Sequence, residues 1–191
     1  MVESQNMRIM QVLANATNVI AEGEVLQLMN MHDASLDEAG YLRVIRSKTA
    51  KLFEADTPPD LEEACAEYGQ SLGTAFQVID DVLDYDGDAA EMGKNLGDDL
   101  REGKATLPLI LAMKLGTPEE AQVVRQAIET GSTTELPRIV DIVRLTGALE
   151  RTRVAAAAQA ARAVAAARAL PTNEFTNSLI ELAAQLLQRR S

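Results

Sequence analysis

The stretch Phe76-Gln77-Val78-Ile79-Asp80-Asp81-Val82-Leu83-Asp84 combines an apolar helical pattern with a dense group of carboxylates. Gln77 and the three aspartates recur at i, i+3, i+4 and i+7, so in a helix they form one polar stripe. Like charges at this spacing cost a few tenths of a kcal/mol per pair, and negative charge at a helix C-terminus costs roughly 0.3–1 kcal/mol more. A hard cation offsets these costs, and Mg2+ prefers one or two carboxylates together with water and phosphate oxygens. The stretch therefore predicts that Asp80, Asp81 and Asp84 bind Mg2+.

Lysines accompany these carboxylates on both sides in the sequence. Lys94 and Lys104 follow in a segment rich in glycine and aspartate, and Lys48 precedes them, next to Thr49, in an earlier helical segment. In an acidic chain, such lysines are explained by a diphosphate that metal bridges to the carboxylates and that lysine neutralises on its other side. The alternative is a solvated acidic helix end, which gives the lysines no role.

Apolar residues recur at i, i+3, i+4 and i+7 along almost the whole chain, and no strand-length alternation interrupts them. We therefore expect an all-α fold and a single helical domain over residues 1–191. Ser35, with Glu38 three residues later, predicts a capping box at the start of the second helix. The segment between Asp84 and Lys104 is predicted to be a long loop, and the alanine-rich segment a scaffold helix. The predicted helices cover residues 3–31, 36–54, 57–84, 106–115, 118–129, 135–146, 155–169 and 173–188.

Composition excludes several classes of function. The net charge of -11 argues against nucleic acid or an anionic membrane as the main partner. No run approaches the roughly 18 uncharged apolar residues of a membrane span. Cys65 is the only cysteine and His32 the only histidine, which excludes an intrachain disulfide and any cysteine- or histidine-rich metal site, and which favours the cytoplasm. We expect His32 to be solvated.

The chain resembles the trans-polyprenyl diphosphate synthases over nearly its whole length. The phrases that carry the resemblance are Glu22-Gly23-Glu24-Val25-Leu26-Gln27-Leu28, Ser47-Lys48-Thr49-Ala50-Lys51-Leu52-Phe53, Gly73-Thr74-Ala75-Phe76-Gln77 with Asp80-Asp81-Val82-Leu83-Asp84, and Gly97-Asp98-Asp99-Leu100 with Gly103-Lys104. The resemblance implies an isoprenoid synthase type helical bundle, here partial. It also implies Mg2+-dependent condensation of an allylic prenyl diphosphate with isopentenyl diphosphate, for quinone side chains, by a homodimer.

The resemblance also implies roles for individual residues. Asp80, Asp81 and Asp84 would be the second aspartate-rich motif of the family and would bind the metal. Glu24 and Gln27 match a phrase of the family whose role would be structural hydrogen bonding at least as much as substrate binding. Asp98 and Asp99 would order the loop that covers the site. The residues that would bind the diphosphate, with the three lysines also catalytic, are Lys48, Thr49, Gln77, Lys94 and Lys104.

The family's first aspartate-rich motif has no counterpart in this sequence, in which Asp-Asp-x-x-Asp occurs once. We therefore expect the chain to be the C-terminal portion of a larger synthase domain and not to elongate a prenyl chain unaided. Three other interpretations remain: a non-catalytic subunit that regulates a complete synthase, a terpene cyclase of the same helical class, and an unrelated helical interaction module. The retained aspartates and lysines argue against the first and third, and the Lys48-Thr49 and Gly103-Lys104 phrases favour chain elongation over cyclisation.

Overall fold

The computed structural model describes residues 7–49, 59–86 and 96–187. Within these ranges the secondary structure consists of nine α-helices and contains no strand, which confirms the all-α prediction. The helices are α1 (Met7–Met29), α2 (Glu38–Thr49), α3 (Pro59–Asp86), α4 (Asp98–Arg101), α5 (Leu107–Leu115), α6 (Pro118–Thr130), α7 (Leu136–Leu145), α8 (Ala148–Arg168) and α9 (Glu174–Leu186).

The most extensive contact in the fold joins α3 to the alanine-rich helix α8. Ala156, Ala160, Ala163 and Ala167 recur along one side of α8 and are buried. Alanine is the best helix former and its small side chain lets two helix backbones approach closely. Helix α8 therefore acts as the predicted scaffold against which α3, with its carboxylates, is fixed.

The main hydrophobic cluster lies beneath the acidic end of α3. Val82 and Tyr85 of α3 are fully buried there, together with Leu100 of α4 and Leu107 at the start of α5. These contacts bring the end of α3, the short helix α4 and the N-terminus of α5 into one packed unit. None of the helices described combines the length and apolar character that crossing a bilayer requires.

The start of α2 differs from the prediction. Ser35 is not its N-cap, because the Ser35 hydroxyl and backbone N–H both donate to Oδ1 of Asp33, at 2.6 and 2.8 Å. Asp37 takes the capping position, and its Oδ1 accepts from the backbone N–H of Gly40 at 2.7 Å. The predicted capping box was therefore wrong, and the predicted extension of this helix beyond Thr49 lies outside the described residues.

Two further differences are larger than shifts of one or two residues at a helix end. Helix α8 begins at Ala148, seven residues before the predicted start, because buried Leu149 and Thr152 continue the face that Ala156 belongs to. The Thr152 hydroxyl donates to the carbonyl of Ala148 at 2.8 Å, so its burial leaves no polar group unpaired. The second difference is α4, a single helical turn inside the segment predicted to be a loop.

Candidate functional site

Asp81 points from α3 towards α2, where the Tyr41 hydroxyl donates a hydrogen bond to its Oδ2. Burial raises the pKa of Asp81 well above its usual value, and the charges of Asp99 and Asp84 raise it further. The Tyr41 hydroxyl and the backbone N–H of Leu107, at the start of α5, act in the opposite direction. This carboxylate is thus held close to other negative charge in partly buried surroundings, where a cation would be strongly favoured.

Asp84 links the end of α3 to α4. Its Oδ1 accepts from the backbone N–H of Asp98 at 3.3 Å, and its carbonyl accepts from Gly97 N–H, also at 3.3 Å. Gly97 is the N-cap of α4 and has no side chain to cap it, so Asp84 supplies the missing acceptor from another helix. Burial, with the charge of Asp99, raises the pKa of Asp84 to about 6.

Lys104 forms two ion pairs, with Asp99 and with Glu102. Its Nζ is 2.9 Å from Oδ1 of Asp99 and 2.7 Å from Oε2 of Glu102. Burial by itself lowers the pKa of Lys104, but the hydrogen bonds to Glu102 and Asp99 outweigh it and leave the pKa above its usual value. Lys104 is therefore a fixed positive charge, and Asp99 couples it to Asp81 and Asp84, whose pKa values it raises.

The remaining predicted residues are placed to different degrees. Gln77 and Asp80 are partly buried on the same helix as Asp81 and Asp84. Lys48 and Thr49 end α2, but their side chains lie outside the described part of the chain. Lys94 also lies outside it. The structure therefore brings Asp81, Asp84 and Lys104 into one cluster, to which Asp99 also belongs.

Hard oxygen ligands are present, but not as a preformed triad. Among the described residues, no three carboxylate, histidine or cysteine side chains are arranged to bind one ion. The Asp81 carboxylate is bonded to Tyr41 and the Asp84 carboxylate to the start of α4. One carboxylate oxygen nevertheless lacks a partner: Oδ2 of Asp84 is buried and accepts no hydrogen bond in the described structure. A metal such as Mg2+, which needs one or two carboxylates and takes its other ligands from water and phosphate, fits this arrangement.

The structure adds Tyr41 and Asp99 to the site, where the sequence pattern did not place them. Asp99 was expected only to order a loop, and Tyr41 was not singled out. In the sequence, Tyr41 precedes Lys48 by seven residues, a spacing typical of one helical face. That spacing was the available signal, although it could not reveal that the face meets Asp81.

Comparison with known proteins identifies the family of the chain. Residues 1–144 match the family "Polyprenyl synthetase". The chain is 47% identical over 194 residues to an octaprenyl diphosphate synthase of Escherichia coli, covering 96% of this chain and 60% of that protein. It is 39% identical over 197 residues to an all-trans-nonaprenyl-diphosphate synthase (geranyl-diphosphate specific) of Rhodobacter capsulatus, covering 99% of this chain and 61% of that protein.

Solved structures give the same result. A polyprenyl synthase from Caulobacter crescentus, crystallised with calcium and isoprenyl diphosphate, superposes with a TM-score of 0.90 at 44% identity, over 100% of this chain and 61% of that one. A decaprenyl diphosphate synthase from Rhodobacter capsulatus superposes with a TM-score of 0.88 at 42% identity, over 100% of this chain and 62% of that one. The chain spans about 60% of the length of the curated relatives it matches, and it belongs to the polyprenyl synthetase family.

Proposed function

We propose that this protein is the diphosphate-binding part of a long-chain trans-prenyl diphosphate synthase, which condenses an allylic prenyl diphosphate with isopentenyl diphosphate for quinone side chains. The observation that carries the proposal is the cluster formed by Asp81, Asp84, Asp99 and Lys104. It combines raised carboxyl pKa values and a buried, unpaired carboxylate oxygen with a fixed positive charge. Each of these features suits a metal-bound diphosphate.

The chemistry follows from the charges. In the proposed reaction the C–O bond of the allylic diphosphate breaks, and the diphosphate leaves with the electron pair. The double bond of isopentenyl diphosphate attacks the allylic carbon, and loss of a proton restores a double bond. Mg2+ would supply Lewis acidity to the leaving diphosphate. Lys104, and by resemblance Lys48 and Lys94, would stabilise its negative charge electrostatically, with Thr49 and Gln77 as further contacts.

The Caulobacter crescentus structure supports the metal and ligand classes. It contains calcium and isoprenyl diphosphate, a hard divalent cation with a prenylated diphosphate. Calcium and magnesium share a preference for oxygen ligands. On this chain we assign the metal to Asp80, Asp81 and Asp84, with the diphosphate bridging from metal to lysine.

We also propose that the complete enzyme is a cytoplasmic homodimer. Helix α1 exposes a run of large apolar side chains near its C-terminal end: Val25, Leu26, Leu28 and Met29. Such a run is typical of a helix that is covered in an assembly. Sedimentation analysis would check the association state.

The decisive test measures binding before turnover. Titration calorimetry should show that this chain binds an allylic diphosphate in the presence of Mg2+, and that Asp80→Ala weakens this binding at least about tenfold. Turnover with isopentenyl diphosphate is then measured in a protein extended by a segment with a first aspartate-rich motif. If Asp80→Ala left that turnover unchanged, the chain would have a regulatory and not a catalytic role.

A further inference from the structure

Tyr41 is the side chain through which α2 reaches the carboxylates of α3. It is only 7% exposed, and its hydroxyl donates to Oδ2 of Asp81. A buried hydroxyl needs a partner, and a carboxylate is the strongest acceptor that a neighbouring helix can offer. The contact therefore fixes the position of both side chains.

This hydrogen bond constrains Asp81 in a specific way. The last torsion of an aspartate side chain is broad and roughly two-fold, so an unrestrained carboxylate can exchange its two oxygens. With Oδ2 bonded to the Tyr41 hydroxyl, and with the backbone N–H of Leu107 also acting on this carboxylate, Asp81 is held in one orientation towards an incoming ligand. The interaction resembles the second layer of hydrogen bonds that orients carboxylate ligands around protein-bound metals.

The position of Tyr41 on α2 adds a second constraint. Lys48 follows Tyr41 in α2 by seven residues, which is about two helical turns. Because the Tyr41 hydroxyl is bonded to α3, it also sets the register of α2 relative to the acidic end of α3. Tyr41 thus links the end of α3 that carries Asp81 to α2, the helix that ends with Lys48 and Thr49.

We propose that Tyr41 is a positioning residue of the metal–diphosphate site, which orients the Asp81 carboxylate and holds α2 in register with α3. This inference rests on the proposed function, because it requires that Asp81 binds the metal. Tyr41 itself contacts neither metal nor substrate. Its loss should therefore weaken metal binding without abolishing it.

The test removes a single oxygen atom, that of the Tyr41 hydroxyl. In Tyr41→Phe, the affinity for Mn2+, used as a spectroscopic substitute for Mg2+, is measured by electron paramagnetic resonance in the presence of inorganic diphosphate. We expect binding about tenfold weaker than in the unchanged chain, the size typical of losing a partner that orients a metal ligand. Thermal unfolding of the same samples separates this effect from a loss of stability.

Tyr68→Phe is the matched control. Tyr68 is also buried, at 1% exposure, and its hydroxyl donates to the carbonyl of Leu179 at 3.0 Å. It precedes Asp81 on α3 by thirteen residues, or about 20 Å along the helix. This variant loses the same atom and a comparable hydrogen bond, so it should lose stability but keep the metal affinity of the unchanged chain.

A second measurement covers the case in which Tyr41→Phe does not fold. The chain has no tryptophan and three tyrosines, so its near-ultraviolet absorbance reports on Tyr41, Tyr68 and Tyr85. In Tyr85→Phe, adding Mg2+ with diphosphate should perturb the tyrosine spectrum, because Tyr41 is bonded to a metal ligand. Binding that leaves this spectrum unchanged would overturn the inference.

The outcomes also separate this inference from the function on which it rests. If the unchanged chain and Tyr68→Phe bind Mn2+ with diphosphate and Tyr41→Phe binds as tightly, Tyr41 is a structural residue and the proposed function stands. If the unchanged chain does not bind Mn2+ with diphosphate at all, the site assignment and the role of Tyr41 fail together.

Discussion

Asp84 is a carboxylate that the folded chain leaves only partly hydrogen-bonded. Its Oδ1 is bonded to the start of α4, while its Oδ2 is buried without a partner. A buried, half-satisfied carboxylate favours its protonated form, which is why its pKa rises from 3.8 to about 6. In the absence of metal, this residue therefore opposes folding at neutral pH.

The pH dependence follows with a definite sign. Because the folded pKa is raised, the stabilisation from the bound proton is fully present below about pH 4 and is lost as the pH rises through about 6. The full shift corresponds to about 3 kcal/mol, and partial exposure to solvent reduces the expected effect to roughly 1–2 kcal/mol. We expect metal-free protein to lose this amount of unfolding free energy between about pH 4 and 7, relative to Asp84→Asn. Denaturant unfolding of both proteins in a chelator measures it, and parallel pH curves would contradict the prediction.

Lys104 carries the second prediction at this scale. Lys104→Gln removes the positive charge that Asp99 and Glu102 hold in place. Because hydrogen bonds between charged groups contribute about 1.5–3 kcal/mol, Mg2+-dependent diphosphate binding should weaken roughly 10- to 100-fold. Titration calorimetry with inorganic diphosphate measures the change.

Lys114→Gln is the control for this substitution, since Lys114 is an exposed lysine of α5 outside the cluster. It should bind diphosphate like the unchanged chain. Glu102→Gln should bind at least as tightly as the unchanged chain, because it frees a donor of Lys104 for the ligand. Equal losses in the Lys104 and Lys114 variants would mean that only the overall charge matters.

At the scale of elements, the turn after α4 is the segment that places Lys104. Gly103 has a φ of +71°, and its carbonyl accepts from the backbone N–H of His32 at 2.8 Å. His32 is exposed, as expected, but its ring covers Gly103, and its Nδ1 lies 3.1 Å from the carbonyl of Ile128. A Cβ on Gly103 would overlap this ring. The position thus needs glycine both for its backbone angle and for the space.

Gly103→Ala should therefore destabilise the protein by about 2–3 kcal/mol and also weaken diphosphate binding, since Lys104 is the next residue. The left-handed backbone accounts for about 1–2 kcal/mol of this, and the overlap with His32 for the rest. Gly147→Ala separates the two causes, because Gly147 has a φ of +74° but a Cβ there meets nothing within 4 Å. Denaturant unfolding should show the smaller loss for Gly147→Ala, and equal losses would mean that the contact with His32 costs nothing.

The elements also show which features a sequence can predict. Long periodic segments such as α3 were predicted with their functional face, because the spacing of Gln77 and the aspartates is a local property. Helix α4 was not predicted because four residues are too few to show a helical period. In addition, the acceptor for its first backbone N–H comes from Asp84, which belongs to another helix. The contact of Tyr41 with Asp81 was missed for a similar reason: it depends on how α2 packs on α3, and no local pattern encodes that packing. The family resemblance supplied the roles of Lys48, Thr49 and Lys94, which lie where the structure describes no side chains.

At the scale of the whole molecule, the fold concentrates negative charge at the site proposed for a diphosphate. The chain carries a net charge of -11, and Asp81, Asp84 and Asp99 lie together at the end of the central helix. Diphosphate alone should therefore be repelled, and Mg2+ alone finds no complete set of ligands among the described residues. Mg2+ would offset the repulsion of the diphosphate, and the diphosphate would complete the oxygen ligands of Mg2+. The binding of the two should therefore be strongly coupled.

This coupling can be measured through thermal stability. A ligand present at about 100 times its dissociation constant adds about 2.7 kcal/mol to the stability of the folded state. For a chain of 191 residues that corresponds to a rise in melting temperature of roughly 5–10 °C. We expect this rise when Mg2+ and diphosphate are added together, and a rise of no more than about 2 °C with either alone. Asp80→Ala should abolish the joint effect, measured against the melting temperature of the same variant without ligands. Additive effects of the two ligands would instead indicate that they bind independently, which would contradict the prediction.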